Sequence, residues 1–251
     1  MESEISVTKK ISFIFIVLIL VLLAVLWLKP MPNFDRDEAR SLPWTLPDFR
    51  NAKAHYEVLP DGRIKIEIEH LFLNNIRPEM ISWFYQRLPY ATVELNGTTY
   101  PLYHLFHPSE HGRIQVIEPA TNSMPGINKG ALVSRQEWFG NYNSKGAGRI
   151  ISLDEKGMRV KPEIAGMHFG EIHHEFIAEG NGTRYILHST LGSEWPVIGE
   201  LVNFYIRSKQ FPPPMLEQWI RHQIEEVSSL QFFLPVLYQT QAVDNHYKIQ
   251  L

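Results

Sequence analysis

The chain contains no cysteine. That excludes a disulfide scaffold, thiolate-ligated zinc, an iron–sulfur cluster and a thiol nucleophile. It also lacks an excess of either charge: 24 Lys and Arg stand against 27 Asp and Glu, a formal net charge of −3 over 251 residues. Such a balance argues against nucleic acid as a partner, which needs a basic patch. There is no Gly-x-Ser-x-Gly elbow, no Gly-x-x-x-x-Gly-Lys phosphate loop and no Gly-x-Gly-x-x-Gly after a strand; the serine-hydrolase and nucleotide-binding signatures are therefore missing. Repeats and low-complexity tracts are missing as well, and a hydrophobic content of 44% excludes wholesale disorder.

The strongest local pattern that is present lies near the start. Residues 11–28 are apolar except for Ser12. At ~1.5 Å per residue, a helix there spans roughly 27 Å, close to the hydrocarbon thickness of a bilayer. Lys9 and Lys10 precede the run, and no small-x-small cleavage site follows it in Leu26-Trp27-Leu28-Lys29-Pro30. The expectation is an uncleaved single-pass anchor with a cytoplasmic N-terminus and an exported domain. The organisation read from this is a short tail at 1–10, the anchor at 11–28 in the lipid bilayer, a Pro-rich charged linker at 29–50, and one domain over 51–251.

Strand patterns dominate that domain. Arg63-Ile-Lys-Ile-Glu-Ile-Glu69 alternates strictly, and Asn96-Gly97 between Val93-Glu-Leu and Thr99-Tyr100 marks a hairpin. A short helix is expected over 78–87, with Pro78 in its first turn. Further strands are expected over 131–139, 149–153, 158–164, 168–178 and 183–190. A long helix is expected over 215–233, opened by Pro212-Pro-Pro214 and stopped at Pro235. The fold class is α+β: a curved antiparallel sheet packed on one long C-terminal helix, the helix-grip (START/Bet v 1-like) arrangement, preceded by the transmembrane helix.

Three clusters carry chemistry. Met215, Trp219, His222 and Glu226 form one stripe of the long helix, so a His/Glu pair at i, i+4 continues a core-facing line. Buried, such a pair needs a mutual hydrogen bond or a metal ion, although a chain with 11 histidines is expected to hold one by chance. The second cluster is Tyr103-His-Leu-Phe-His-Pro-Ser-Glu-His111, also readable as a polar loop turned by Pro108. The third is His168-Phe-Gly-Glu-Ile-His-His-Glu-Phe176, where strand alternation puts His168, Ile172, His174 and Phe176 on one face.

Taken in order, Pro78-Glu-Met-Ile-Ser-Trp-Phe84, the Tyr103–His111 cluster, Glu137-Trp-Phe-Gly140, His222-Gln-Ile-Glu-Glu226 and Leu230-Gln-Phe-Phe-Leu-Pro235 resemble the 2,4-diacetylphloroglucinol hydrolase family over about residues 55–240. The resemblance implies a helix-grip fold, a Zn2+ ion held by two His and two Glu, and hydrolysis of a carbon–carbon bond in a small aromatic or hydrophobic ketone. Carried over by position, it implies His222, Glu226 and His111 as metal ligands, with Glu137 as the fourth and Glu118 as its substitute. It implies Tyr103 and Tyr185 as substrate contacts, with aromatic residues such as Trp83, Phe84 and Phe106 lining an apolar cavity for a flat substrate. His174 or His168 would be the catalytic histidine, a proton donor near neutral pH. Alternatives from other classes are a membrane-tethered carrier of a hydrophobic molecule and a zinc hydratase or isomerase.

Overall fold

The computed structural model describes residues 33–121, 124–164, 166–196, 198–240 and 244–251, with 31 and part of 13–28. Half of the expected anchor at 11–28 therefore lies outside the described residues, and among those described no helix is long and apolar enough to cross a membrane.

In chain order the elements are β1 (Lys53–Val58), β2 (Ile64–Glu69), β3 (Leu73–Asn74), α1 (Pro78–Arg87), β4 (Thr92–Leu95), β5 (Thr98–Pro101), α2 (Leu102–Phe106), β6 (His111–Glu118), β7 (Leu132–Phe139), β8 (Tyr142–Asp154), β9 (Gly157–Ile164), β10 (Met167–His168), β11 (Gly170–Glu179), β12 (Gly182–Leu191), α3 (Gly199–Tyr205), α4 (Pro213–Gln239) and β13 (His246–Ile249). The main sheet runs β1-β2-β12-β11-β9-β8-β7-β6, with β3 on β12 and β10 on β9. All its pairings are antiparallel. A small second sheet joins β4 and β5 antiparallel and adds β13 parallel to β4. The expected class, a mostly antiparallel sheet with a long C-terminal helix, is what folds.

Local chemistry explains the elements. The strict alternation of β2 buries Ile64, Ile66 and Ile68 under α4 while the intervening polar residues stay outside. Asn96 (φ 49°) and Gly97 (φ 86°) supply the two positive φ angles of the β4–β5 turn, which match the strands' own twist. In α4 the apolar stripe packs on β2 and on α1; Phe233 is fully buried, 5.6 Å from the rings of both Phe84 and Trp44. Burying one such side chain contributes about 1.5–3 kcal/mol.

Two expectations about the frame need correcting. Pro235 lies inside α4 rather than ending it. It removes one N–H and costs about 3 kcal/mol. The helix continues because Leu237 is fully buried and Tyr238 packs edge-on against Trp83 at 5.2 Å. Residues 33–48, read as a linker, lie on the domain: Phe34 meets Trp138, Trp44 stacks on Phe232, and Arg36 and Arg40 hydrogen-bond to the loop before β6.

Candidate metal centre

Two elements bring the ligand candidates together. The stripe of α4 turns His222 and Glu226 toward the inside of the sheet, where both are buried. His111 opens β6 opposite Glu137 of β7, and the register slips by one residue between His111 and Ile114. Such a bulge re-aims the side chain beside it, and His111 is fully buried against α4. Its Nε2 lies 3.2 Å from His222 Nε2 and 3.1 Å from Glu226 Oε2; the His222 Nε2–Glu226 Oε2 distance is 3.6 Å.

The proton positions follow from the other ring nitrogens. His111 Nδ1 lies 2.8 Å from the Tyr103 carbonyl oxygen, which only accepts, so Nδ1 carries the proton. His222 Nδ1 lies 2.9 Å from the Glu110 carboxylate and donates likewise. With both rings neutral, the two Nε2 atoms are bare lone pairs, facing each other and a carboxylate oxygen. Burial, followed by the neighbouring His107 and His111, drives the His222 pKa far down, so the ring stays neutral. Burial raises the pKa of Glu226. Three acceptors converging without a proton among them are repulsive unless a cation lies between them or a proton sits on Glu226 or on His111 Nε2, 3.1 Å from that carboxylate. Their separations bracket the roughly 3.3 Å between neighbouring ligands in a tetrahedral zinc site with bonds of 2.0–2.1 Å. The donor set therefore fits the expected ion.

Glu137 is beside this triad without joining it: it is not among the atoms lying within 4.8 Å of one another. Tyr103 hydrogen-bonds to its Oε1. Burial opposes its ionisation, but attraction to the Arg135 guanidinium and the Tyr103 hydrogen bond prevail, and its pKa falls to about 2. An anionic carboxylate thus waits at the edge of the site. Glu118, the substitute, lies at the far end of β6, exposed and ion-paired with Arg149 at 2.7 Å; it is no ligand. A second triple, His107, Glu110 and His222, also falls within 4.8 Å. Arg221 already occupies it, 2.5 Å from Glu110 and hydrogen-bonded to Glu225. His107 Nδ1 accepts from the Glu110 N–H at 3.2 Å, which leaves its Nε2–H to Glu225.

Glu110 and the segment 33–48 that carries Arg36 and Arg40 show no signal in the sequence. Glu110 fixes the His222 tautomer and is itself held by Arg221, the Gly140 N–H at 2.9 Å and Arg36 at 3.4 Å. Arg40 donates to the His111 carbonyl at 2.8 Å. Outer contacts of this kind orient metal-binding histidines.

Beside the triad lies a cavity with a mouth open to solvent. Tyr103, Glu137, Glu226 and His174 line it, with apolar residues such as Phe106 and Ile150. His174 projects from β11 on the buried face with Ile172 and Phe176, as alternation requires. Its Nδ1 is 2.7 Å from Tyr185 Oη, which is 2.7 Å from Tyr85 Oη. His168 is a correction: β10 leaves it exposed beside Glu163, outside this cavity. Trp83 is another, since it faces Tyr238, Tyr247 and Arg87. Tyr185 is fully buried and reaches the cavity through His174. His70 packs 4.7 Å from the Tyr185 ring, and neither of its ring nitrogens has a hydrogen-bond partner among the described residues.

Burial pushes His70, His107 and His174 each down to about 3. A histidine depressed on folding stabilises the fold above its unfolded pKa, near 6.5, and that contribution is lost as pH falls toward 3. Glu225, raised by burial to about 7, acts oppositely: its contribution is present at acid pH and is lost as pH rises through 7. The histidines outnumber it. Metal-stripped protein moved from pH 7.5 to pH 5 is expected to lose about 2–4 kcal/mol, a melting point roughly 5–15 °C lower. An unchanged melting point would show that these imidazoles are not neutral and buried.

No protein-family model matches the chain, and no curated protein matches it. Among solved structures, Ms6760 of Mycobacterium smegmatis superposes with a TM-score of 0.44 at 12% identity, over 73% of this chain and 97% of its own. The KanY protein (ms6282) gives 0.43 at 13% identity, over 69% and 95%. Ara h 8.0201 gives 0.37 at 12% identity, over 71% and 99%. Likenesses at this level assign neither a family nor an activity.

Proposed function

We propose that this helix-grip domain is a zinc-dependent hydrolase that cleaves the carbon–carbon bond between an acyl group and an aromatic ring. The observation that carries the reading is the convergence of two imidazole Nε2 atoms and the Glu226 carboxylate, buried beside a largely apolar cavity with a neutral histidine on its wall. His111, His222 and Glu226 hold the ion, and Glu137 is the adjacent carboxylate that completes or releases the shell. When bound, the metal supplies a Lewis acid for the ketone oxygen and lowers the pKa of water.

The remaining chemistry belongs to the chain. Apolar walls exclude bulk water and receive the ring. The Tyr103 phenol, kept protonated by burial and by the nearby Glu137 charge, donates to Glu137 and stands within the cavity. His174 enters the reaction neutral, which reverses its expected starting role as a donor. It accepts the proton of the attacking water, then returns it to the ring carbon as the bond to the acyl carbon breaks. Tyr85 and Tyr185 fix the orientation of its ring. Water and the ketone give a carboxylic acid and the deacylated ring.

The test uses full-length zinc-loaded protein, purified in detergent, with acylated phloroglucinols and simpler aryl ketones. The expected products are the carboxylic acid and the deacylated phenol in equal amounts. Unchanged ketone would favour a carrier, and a product retaining both halves a hydratase or isomerase.

A further inference from the structure

On β7, Val133, Arg135 and Glu137 alternate onto one face, and all three line the cavity. Arg135 is a cation on a mainly apolar wall. Its Nη1 is 3.7 Å from Glu137 Oε1, an ion pair too long for a hydrogen bond. Its guanidinium makes no hydrogen bond among the described residues, and its side chain is 40% exposed. Opposite, on α4, Gln223 also lines the cavity; it is 3% exposed, and its amide has no hydrogen-bond partner among the described residues. Two polar side chains thus point into one apolar space with their donors unused.

The charges around the cavity indicate what is missing. Glu137, Glu226 and Arg135 together leave one negative charge, with the histidines neutral. A divalent cation in the triad turns this into one positive charge, which a monoanion neutralises. A planar guanidinium matches a carboxylate or delocalised oxyanion in two-pronged fashion.

We infer that Arg135, assisted by the Gln223 amide, selects an anionic aromatic ketone, one bearing a carboxylate or an ionised phenol, over its neutral counterpart. This rests on the cavity being the substrate site. It makes Arg135 a specificity-determining residue and excludes a neutral lipid as the preferred occupant.

Calorimetric titration of the full-length zinc-loaded protein with 4-acetylbenzoate and with the neutral 4-acetylbenzamide tests this without turnover. The wild type is expected to bind the acid at least about tenfold more tightly. R135Q is expected to weaken the acid roughly 10- to 100-fold, to leave the amide unchanged and to keep its zinc. R135K, which keeps the charge but loses the fork, is expected to fall between them. Equal binding of both ligands by the wild type overturns the inference. So does R135Q that still prefers the acid, because the metal would then hold the carboxylate. Parallel loss of both ligands in R135Q, or binding of neither by the wild type, overturns it too. Preference without any cleavage would sink the hydrolase reading alone; cleavage without preference would sink only the role of Arg135.

Discussion

His222→Ala is expected to strip the protein of zinc, lowering affinity by more than about 10²-fold, beyond what loss of a supporting contact costs. His222 supplies one of the two bare nitrogens, and its partner at 3.2 Å cannot hold the ion alone. The graded control is Glu110→Gln. It keeps both ligand nitrogens but weakens the contact at His222 Nδ1, so a loss of about 10- to 100-fold is expected. Competition against a fluorescent chelator measures both. Equal affinities in wild type and H222A would mean that the ion sits elsewhere. Metal-free H222A is expected to melt close to metal-free wild type, because alanine removes one member of a repulsive triad while it opens a small cavity.

His174→Gln is expected to lower kcat for ketone cleavage by about 10²- to 10⁴-fold, the usual contribution of a positioned acid–base group, with zinc content unchanged. His174 lies on the cavity wall and not among the three converging atoms, so metal and proton transfer separate in this variant. Tyr185→Phe removes the hydrogen bond to Nδ1 but keeps the imidazole. Its expected loss is smaller, about tenfold, because it orients the base rather than moving the proton. Single-turnover kinetics on one acylated phenol separates the two. A loss in Y185F equal to that in H174Q would instead put the phenol itself in the proton path.

What could be read from the residues follows the range of the interactions. The stripe through Met215, Trp219, His222 and Glu226 is a local property of a 3.6-residue period, and all four are buried. His174 was placed inward by strand alternation for the same reason. The sequence leaves Glu137 and Glu118 open because both sit on strands; the pairing of His111 with Glu137 brings that carboxylate beside the triad, while Glu118 ends at the exposed far end of β6. Trp83 and His168 were misplaced because a helix face or strand end does not reveal its neighbours: Tyr247 and Glu163 respectively. Arg135, Gln223 and His70 carry no motif; folding alone sets the first two on the cavity wall and leaves the His70 ring nitrogens unmatched among the described residues. Arg36 and Arg40 looked like linker charges; their partners lie some 70 residues away in the chain.

The proposed chemistry depends on what His111, His222 and Glu226 do together. Metal analysis and zinc X-ray absorption of the full-length wild-type protein test this most directly. The account predicts about one zinc per chain, with two imidazole nitrogens and carboxylate oxygen in its shell. A folded protein that stays metal-free after zinc is supplied, or zinc bound without histidine, would contradict it.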